Sequence, residues 1–157
     1  MIKVNVVAVG KVKEKYFADG INEYAKRLSR YCEFKIVEIA EENYQKADDA
    51  LISVIKEKEG ERILPHLKGH VFSMAIEGKK TSSENLAKTI KDLSDKGQGV
   101  ITFVIGGSYG LSDSVKKKAD QLLSFSDMTF PHTLFRLMLT EQIYRAFSIN
   151  GGSAYHK

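Results

Sequence analysis

Apolar residues are grouped along the chain in short runs that have the length and composition of β-strands. The run Val100–Ile105 is apolar throughout, which is typical of a strand buried on both faces of a sheet. In Phe34–Ile39 apolar and charged residues alternate, which predicts a strand with one face in water. The predicted strands, in chain order, are Ile2–Val9, Phe34–Ile39, Val71–Ile76, Val100–Ile105 and Leu122–Phe125.

The segments between these runs repeat their apolar residues at helical spacing. Thr81-Ser82-Ser83-Glu84 fits a capping box at a helix start, and Ser112 can cap another helix. Glu77–Lys80 is polar and predicts a loop. Strands that alternate with helices predict one α/β domain over 1–157, in which helices flank a mostly parallel sheet. The predicted helices are Tyr16–Tyr31, Ala50–Leu64, Thr81 to about Lys96, a short one after Ser112, and Thr133–Ile149.

The composition excludes several classes of protein. No apolar run approaches the ~18 residues of a membrane span, and residues 1–5 lack a signal-peptide pattern, so we expect a cytoplasmic protein. Cys32 is the only cysteine, which excludes an internal disulfide and a multi-cysteine metal site. Gly69 and the strand after it disfavour a metal pair at His66 and His70, so no metal is predicted. The net charge of +4 is compatible with RNA binding without indicating it.

A glycine-rich loop, Gly106–Gly110, follows the buried strand Val100–Ile105. Glycine lets the backbone approach a ligand closely, and N–H groups at the start of the next helix can hold an anion. The loop lacks the dinucleotide and P-loop fingerprints and comes late in the chain. From spacing alone, a ligand-binding loop and a tight strand-to-helix turn both remain open.

The last predicted helix, Thr133–Ile149, is apolar on most of its sides. Such a helix must be buried on most sides, and in a short chain a second protomer can supply part of the cover. The pattern therefore points to a dimer. Glu141 and Arg145 on this helix have i, i+4 spacing, for which a surface ion pair is the simplest account.

Several motifs carry a family resemblance that covers essentially the whole chain. The stretch Ser126-x-Met128-Thr129-Phe130-Pro131-His132 and the ending Tyr155-His156-Lys157 are specific when they occur together. The other motifs are Ala8–Lys11, Glu57–Gly60, Ile105–Leu111 and Arg136-x-x-x-x-Glu141-Gln142-x-Tyr144-Arg145-Ala146. In these motifs the chain resembles the RlmH family, bacterial methyltransferases of the SPOUT superfamily that modify N3 of a pseudouridine in large-subunit ribosomal RNA.

The resemblance implies S-adenosylmethionine as the cofactor, a homodimer, and a C-terminal trefoil knot, which is a rare feature in protein folds. It also implies that the substrate is the assembled ribosome, methylated in helix 69 of the 23S RNA. By position, the cofactor contacts carry over to Met74, Gly106, Gly107, Phe125, Ser126, Asp127, Met128, Thr129 and Phe130.

The proton on N3 must leave during methylation, so a base or a cation is expected near the acceptor. The candidates are His132, Arg136, Glu141, Arg145, Tyr155 and His156, and the sequence does not choose among them. RNA contacts are expected from Arg136 and from the ending Tyr155, His156 and Lys157, which supplies a stacking ring and positive charge. Whether this ending serves its own or a partner's site stays open.

Two other classes of function compete with a methyltransferase. One is a non-enzymatic ribosome-binding or RNA-binding module, in which the glycine loop and Ser126–His132 are structural. The other is an oxidoreductase with a nucleotide cofactor at Gly106–Gly110, a loop that lacks the dinucleotide fingerprint.

Overall fold

The computed structural model describes residues 1–157, and a sheet of five strands forms its centre. The strand order is β2-β1-β4-β3-β5, and every neighbouring pair is parallel. The predicted α/β fold with a parallel sheet is confirmed, and every predicted strand is present. The strands are β1 (Lys3–Val9), β2 (Glu33–Ile39), β3 (His70–Lys80), β4 (Val100–Ile105) and β5 (Gln121–Ser124).

Helices connect the strands and cover both faces of the sheet, in three layers. One face packs against α1, α3 and α5, and the other packs against α2 and α4. None of these helices combines the length and the apolar composition needed to cross a membrane. The helices are α1 (Lys15–Leu28), α2 (Asp49–Ile63), α3 (Ser83–Asp95), α4 (Asp113–Lys118) and α5 (His132–Asn150), with one turn of 3-10 helix at Leu64–His66.

The strand β4 lies in the middle of the sheet and is buried on both faces, as its apolar sequence predicts. Phe103 on β4 stacks on Phe72 of β3, with ring centroids 5.0 Å apart. Cys32 belongs to the same core. Burial raises the pKa of its thiol to about 12, so this residue packs as a small apolar side chain.

Two local predictions are wrong. Glu77–Lys80, expected as a loop, continues β3, because Lys79 and Lys80 pair with β5 after the residues that follow Met74 bulge out of register. The polar sequence hid this pairing at the sheet edge. The N-cap of α3 is Ser82, whose hydroxyl accepts the N–H of Asn85 at 3.1 Å, so the capping position lies one residue later than predicted.

The parallel sheet brings the carboxyl ends of β3, β4 and β5 to one edge. The segments that leave these strand ends converge there with the first turn of α5. In open parallel sheets, ligands bind outside the carboxyl ends of the strands. We therefore expect a ligand site at this edge of the sheet.

Candidate functional site

A cavity of about 690 Å³ opens at the carboxyl ends of β3, β4 and β5. This volume lies in the range of about 300–1,000 Å³ found for small-molecule sites. Apolar and aromatic residues line it together with polar ones that include Ser126, Thr129 and the ion pair of Lys116 with Glu77. The cavity contains eight of the nine predicted cofactor contacts, namely Met74, Gly106, Gly107, Phe125, Ser126, Met128, Thr129 and Phe130.

Asp127 is the predicted cofactor contact that does not line the cavity. Its carboxylate forms an ion pair with Lys80 at 2.5 Å, and its side chain is 77% exposed. This pair joins the end of β3 to the segment after β5. The geometry therefore favours a surface role for Asp127 over contact with a bound molecule.

The glycine loop is shaped by its own packing. A Cβ on Gly106 would lie 2.7 Å from the carbonyl carbon of Gly110, so no side chain fits there. A Cβ on Gly107 would lie 3.1 Å from Val9 and 3.2 Å from Glu59 Oε1, which is the side of the loop away from the cavity. The turn therefore requires a glycine at 106 and leaves little room for a side chain at 107, and its backbone lies along the cavity wall.

The anion site considered for this loop is not supported. The following helix, α4, is short and carries Asp113 in its first turn. A carboxylate at this position repels a second negative charge at the helix start. The loop is suited to backbone contacts with an uncharged or cationic molecule.

His132 lines the cavity as the first residue of α5. Its Nε2 lies 3.4 Å from the position that a Cβ on Gly10 would take, and Glu41 Oε2 lies 3.6 Å from the same position. Both side chains thus lie beside Gly10, at the end of β1. Glu41 was not among the predicted site residues, because only the folded sheet brings it to Gly10.

Arg136 is buried, with 4% of its side chain exposed. One guanidinium nitrogen donates to Glu38 at 2.5 Å, and another donates to the carbonyl oxygen of Gly10 at 3.0 Å. These bonds fasten the start of α5 to the ends of β1 and β2. Because a guanidinium so enclosed has no surface to offer to a phosphate, the predicted RNA contact of Arg136 is not supported and a structural role is favoured.

The other catalytic candidates meet in a second place, which we call the tail cluster: Glu84, Glu141, Arg145, Tyr155 and His156. The Tyr155 hydroxyl donates to Glu141 Oε2 at 2.9 Å, and Arg145 donates to the same oxygen at 2.6 Å. Burial, followed by the bonds to Tyr24 and Glu141, raises the pKa of Tyr155, which therefore stays protonated at neutral pH. The guanidinium of Arg145 also lies over the Tyr155 ring, 4.7 Å from its centroid.

His156 joins the tail cluster through both ring nitrogens. Its Nδ1 lies 3.0 Å from an Arg145 nitrogen, and its Nε2 lies 2.8 Å from Glu84 Oε1. Arginine can only donate, so Nδ1 accepts and Nε2–H donates to Glu84, which describes a neutral imidazole. The backbone N–H of Glu84 and then the bond from His156 lower the pKa of the Glu84 carboxyl. The ending of the chain is thus docked on α3 and α5, and Lys157 remains exposed.

The structure divides the catalytic candidates into two groups. His132 and Arg136 lie at the start of α5, whereas Glu141 lies nine residues after His132, roughly 14 Å along the helix axis. A second cavity, of about 590 Å³, adjoins the tail cluster through Tyr24, Glu141 and Gln142. None of the residues of the tail cluster lines the cavity that His132 lines, although Phe125 lines both cavities.

Comparison with known proteins connects this geometry to a family. Residues 2–156 match the family described as "Predicted SPOUT methyltransferase". The chain belongs to the SPOUT methyltransferases. Two relatives carry the name ribosomal RNA large subunit methyltransferase H: those of Latilactobacillus sakei and Bifidobacterium adolescentis are 52% and 54% identical, each over 99% of this chain and 100% of the relative. The resemblance to the RlmH family is confirmed.

Solved structures show the SPOUT fold at low sequence identity. A probable methylase family protein from Haemophilus influenzae aligns with a TM-score of 0.53 at 11% identity, over 99% of this chain and 70% of that one. A probable methyltransferase from Bordetella pertussis also gives 0.53 at 11% identity, over 93% of this chain and 96% of that one. The trefoil knot implied by the resemblance stays a prediction.

As a SPOUT methyltransferase, the protein uses S-adenosylmethionine as its cofactor. The residues present fit this molecule in size and chemistry. The cavity is large enough, the glycine loop presents backbone along its wall, and Phe125, Met128 and Phe130 supply apolar surface for the adenosine. Which atoms contact the cofactor stays a prediction.

Proposed function

We propose that this protein, acting as a homodimer in the cytoplasm, methylates N3 of a pseudouridine in helix 69 of the large-subunit ribosomal RNA, on the assembled ribosome. One observation carries the proposal. Three separate segments, around Met74, Gly106 and Phe125–Phe130, form one cavity of cofactor size. Relatives that match over their full length are named for methylation of large-subunit ribosomal RNA.

In this proposal the cavity orients the two reactants. When bound, the cofactor supplies an electrophilic methyl group on a sulfonium. The apolar side chains at Phe125 and Phe130 exclude water, and the backbone of Gly106–Gly110 fixes the direction of approach. Holding two reactants in line contributes most of the rate in such a transfer.

His132 takes the position of proton acceptor, because it is the catalytic candidate that lines the cavity. Its Nε2 lies beside Gly10, at the end of β1. Arg136 keeps the first turn of α5 in place through Glu38 and the carbonyl of Gly10.

The homodimer is supported by apolar surface that one chain leaves uncovered. Met128 is 71% exposed, Ile76 49% and Tyr109 42%, and all of them border the cavity. Exposed apolar groups that lie together mark an interaction surface. No residue of the tail cluster lines the cavity of its own chain, and in this proposal Tyr155 and His156 reach the cofactor site of a twofold partner.

The exposed side chains after β1 supply a surface for RNA. Lys11, Lys13 and Tyr16 are exposed and follow Gly10, which lies beside His132. Tyr16 is 69% exposed and presents a ring on which a base can stack. The lysines supply charge for the phosphates next to the modified nucleotide.

Labelled methyl transfer to ribosomes from cells that lack the native activity tests the reaction. We expect labelled assembled ribosomes, little labelling of free ribosomal RNA, and the label at one pseudouridine after nuclease digestion and mass analysis. A non-enzymatic RNA-binding module would bind the ribosome and transfer no label.

Mixed dimers test whether the tail acts across the interface. One subunit carries Gly107→Val, and the other lacks Ala154–Lys157. If the tail serves the partner, the mixed dimer keeps one complete site, formed by the intact cavity of the truncated subunit and the tail of the other. Activity should then be about half that of the wild type, as expected for one site of two. If the tail serves its own subunit, the mixed dimer is inactive.

A further inference from the structure

Glu59 is a buried acid on α2 that the proposed reaction leaves without a role. The residue is 4% exposed. Its Oε2 accepts the backbone N–H of Glu42 at 3.0 Å, whereas its Oε1 has no hydrogen-bond partner. A buried polar atom without a partner is destabilising, so its presence requires an explanation.

The unpartnered oxygen lies directly behind the glycine loop. Glu59 Oε1 is 3.2 Å from the position that a Cβ on Gly107 would take, and Gly107 lines the cavity on its other side. Only the backbone of one glycine therefore separates the carboxylate from the cavity. The neighbouring Gly60 allows α2 to lie close to the residues after the loop, because a Cβ at this position would lie 2.5 Å from Ser112 Oγ.

No cation contacts the unpartnered Oε1 of Glu59. Arg62 on the same helix donates to Glu42 at 2.7 Å and to the carbonyl oxygen of Ala40. Burial is the largest influence and raises the pKa of Glu59, whereas the N–H of Glu42 lowers it. The charges of Glu41 and Glu42 raise this pKa and the charge of Arg62 lowers it. The segment after β2 thus adds negative charge near Glu59.

We propose that Glu59 is an electrostatic specificity determinant, which favours the cationic S-adenosylmethionine over its uncharged product, S-adenosylhomocysteine. The inference rests on the proposed cofactor cavity. Loss of the methyl group turns the sulfonium into a neutral thioether, because the sulfur keeps the electron pair of the broken bond. The carboxylate of Glu59 attracts the cationic S-adenosylmethionine and not the uncharged S-adenosylhomocysteine. This attraction acts through the backbone of Gly107 and is strongest where water is excluded. The spent cofactor is therefore released more readily than the fresh one.

The variant Glu59→Gln tests this assignment, because it keeps the shape and the oxygen that accepts the N–H of Glu42. Calorimetric titration should show that the dissociation constant for S-adenosylmethionine rises about tenfold, the effect of losing one charge interaction at low dielectric. The constant for S-adenosylhomocysteine should stay within about twofold of the wild-type value. Glu57→Gln is the matched control, since Glu57 lies on the same helix in solvent, where water screens its charge.

A pH series on the wild-type protein gives a second measurement that does not depend on the folding of a variant. The preference for S-adenosylmethionine over S-adenosylhomocysteine should fall as Glu59 becomes protonated at lower pH. The Glu57→Gln protein should show the same pH dependence as the wild type. Equal weakening of both ligands in Glu59→Gln, or a preference that is unchanged by both the substitution and pH, would overturn the inference. A wild-type protein that binds neither ligand would overturn the proposed cofactor site, and this inference with it.

Discussion

The cavity and the tail cluster differ in how their polar groups are satisfied. Beside the cavity, Glu59 Oε1 and Arg136 Nε have no hydrogen-bond partner, and apolar groups at the rim are exposed. In the tail cluster, Glu141, Tyr155 and His156 all bond to other side chains. The cavity is therefore bordered by polar and apolar groups that the chain itself leaves without partners. The tail cluster is complete within one chain, and it can change partners only when its present bonds break.

Deletion of Ala154–Lys157 should have the largest effect on catalysis. We expect methyl transfer to fall to background while affinity for S-adenosylmethionine changes little, because the glycine loop is intact. Loss of a stacking ring alone weakens RNA binding by about 1–3 kcal/mol, which more substrate would overcome. Assays at saturating ribosome concentration distinguish weaker RNA binding from a slower chemical step. A loss of activity that persists at saturation assigns His156 a part in the chemical step. Full activity of the truncated protein would transfer the catalytic role to the cavity residues alone.

Gly107→Val should be the next most damaging change, this time at the cavity. The new side chain meets Val9 and Glu59 behind the loop, so the loop must move toward the cavity. Overpacking of this kind costs about 1–3 kcal/mol, and we expect binding of S-adenosylmethionine to weaken roughly ten- to a hundredfold. Gly99→Val is the matched control, since its Cβ meets no atom within 4 Å. Calorimetric titration measures the affinity of both variants for S-adenosylmethionine. Equal affinities in Gly107→Val and Gly99→Val would contradict the cofactor site at the glycine loop.

Glu141→Gln should loosen the tail cluster and leave the cavity intact. The substitution removes the charge that Arg145 and Tyr155 both bind, and we expect a loss of about 1–2 kcal/mol in the docking of the tail. Hydrogen exchange of residues 151–157 should become faster. Glu23→Gln removes a carboxylate from the exposed pair with Arg27, also at i, i+4 spacing, and should not affect the tail. Unchanged exchange would mean that Glu141 does not hold the tail.

The smallest effect that we expect is a rise in the thermal stability of Glu59→Gln. Since the pKa of Glu59 is raised in the folded protein, the folded state binds its proton more tightly than the unfolded state. Stability from this group is therefore present at low pH and is lost as pH rises toward and through the raised pKa. The amide removes this loss, so Tm at neutral pH should increase, by about 2–4 °C for each 1 kcal/mol recovered in a domain of this size. Scanning calorimetry should show the difference narrowing as pH falls through the raised pKa and vanishing below the unfolded-state pKa of about 4.3.

The strands were predictable because burial on both faces leaves a local signal. Val100–Ile105 has the same bounds in the sequence pattern and in the structure. The last part of β3 was missed because Lys79 and Lys80 are polar and pair only with the edge strand β5. The motifs identified most of the cavity lining. They could not place Glu59 or Glu41, because these positions depend on how α2 and the end of β2 pack against distant loops.

The place of β4 between β1 and β3 also governs how the chain acquires its structure. Lys3 pairs with Val100, so the first strand gains its central neighbour only after most of the polypeptide has been made. The cavity further requires β5 and the start of α5. Pairings between strands so distant along the chain form slowly. A chain synthesised only as far as β4 therefore lacks this cavity, which can form only once the start of α5 has been made.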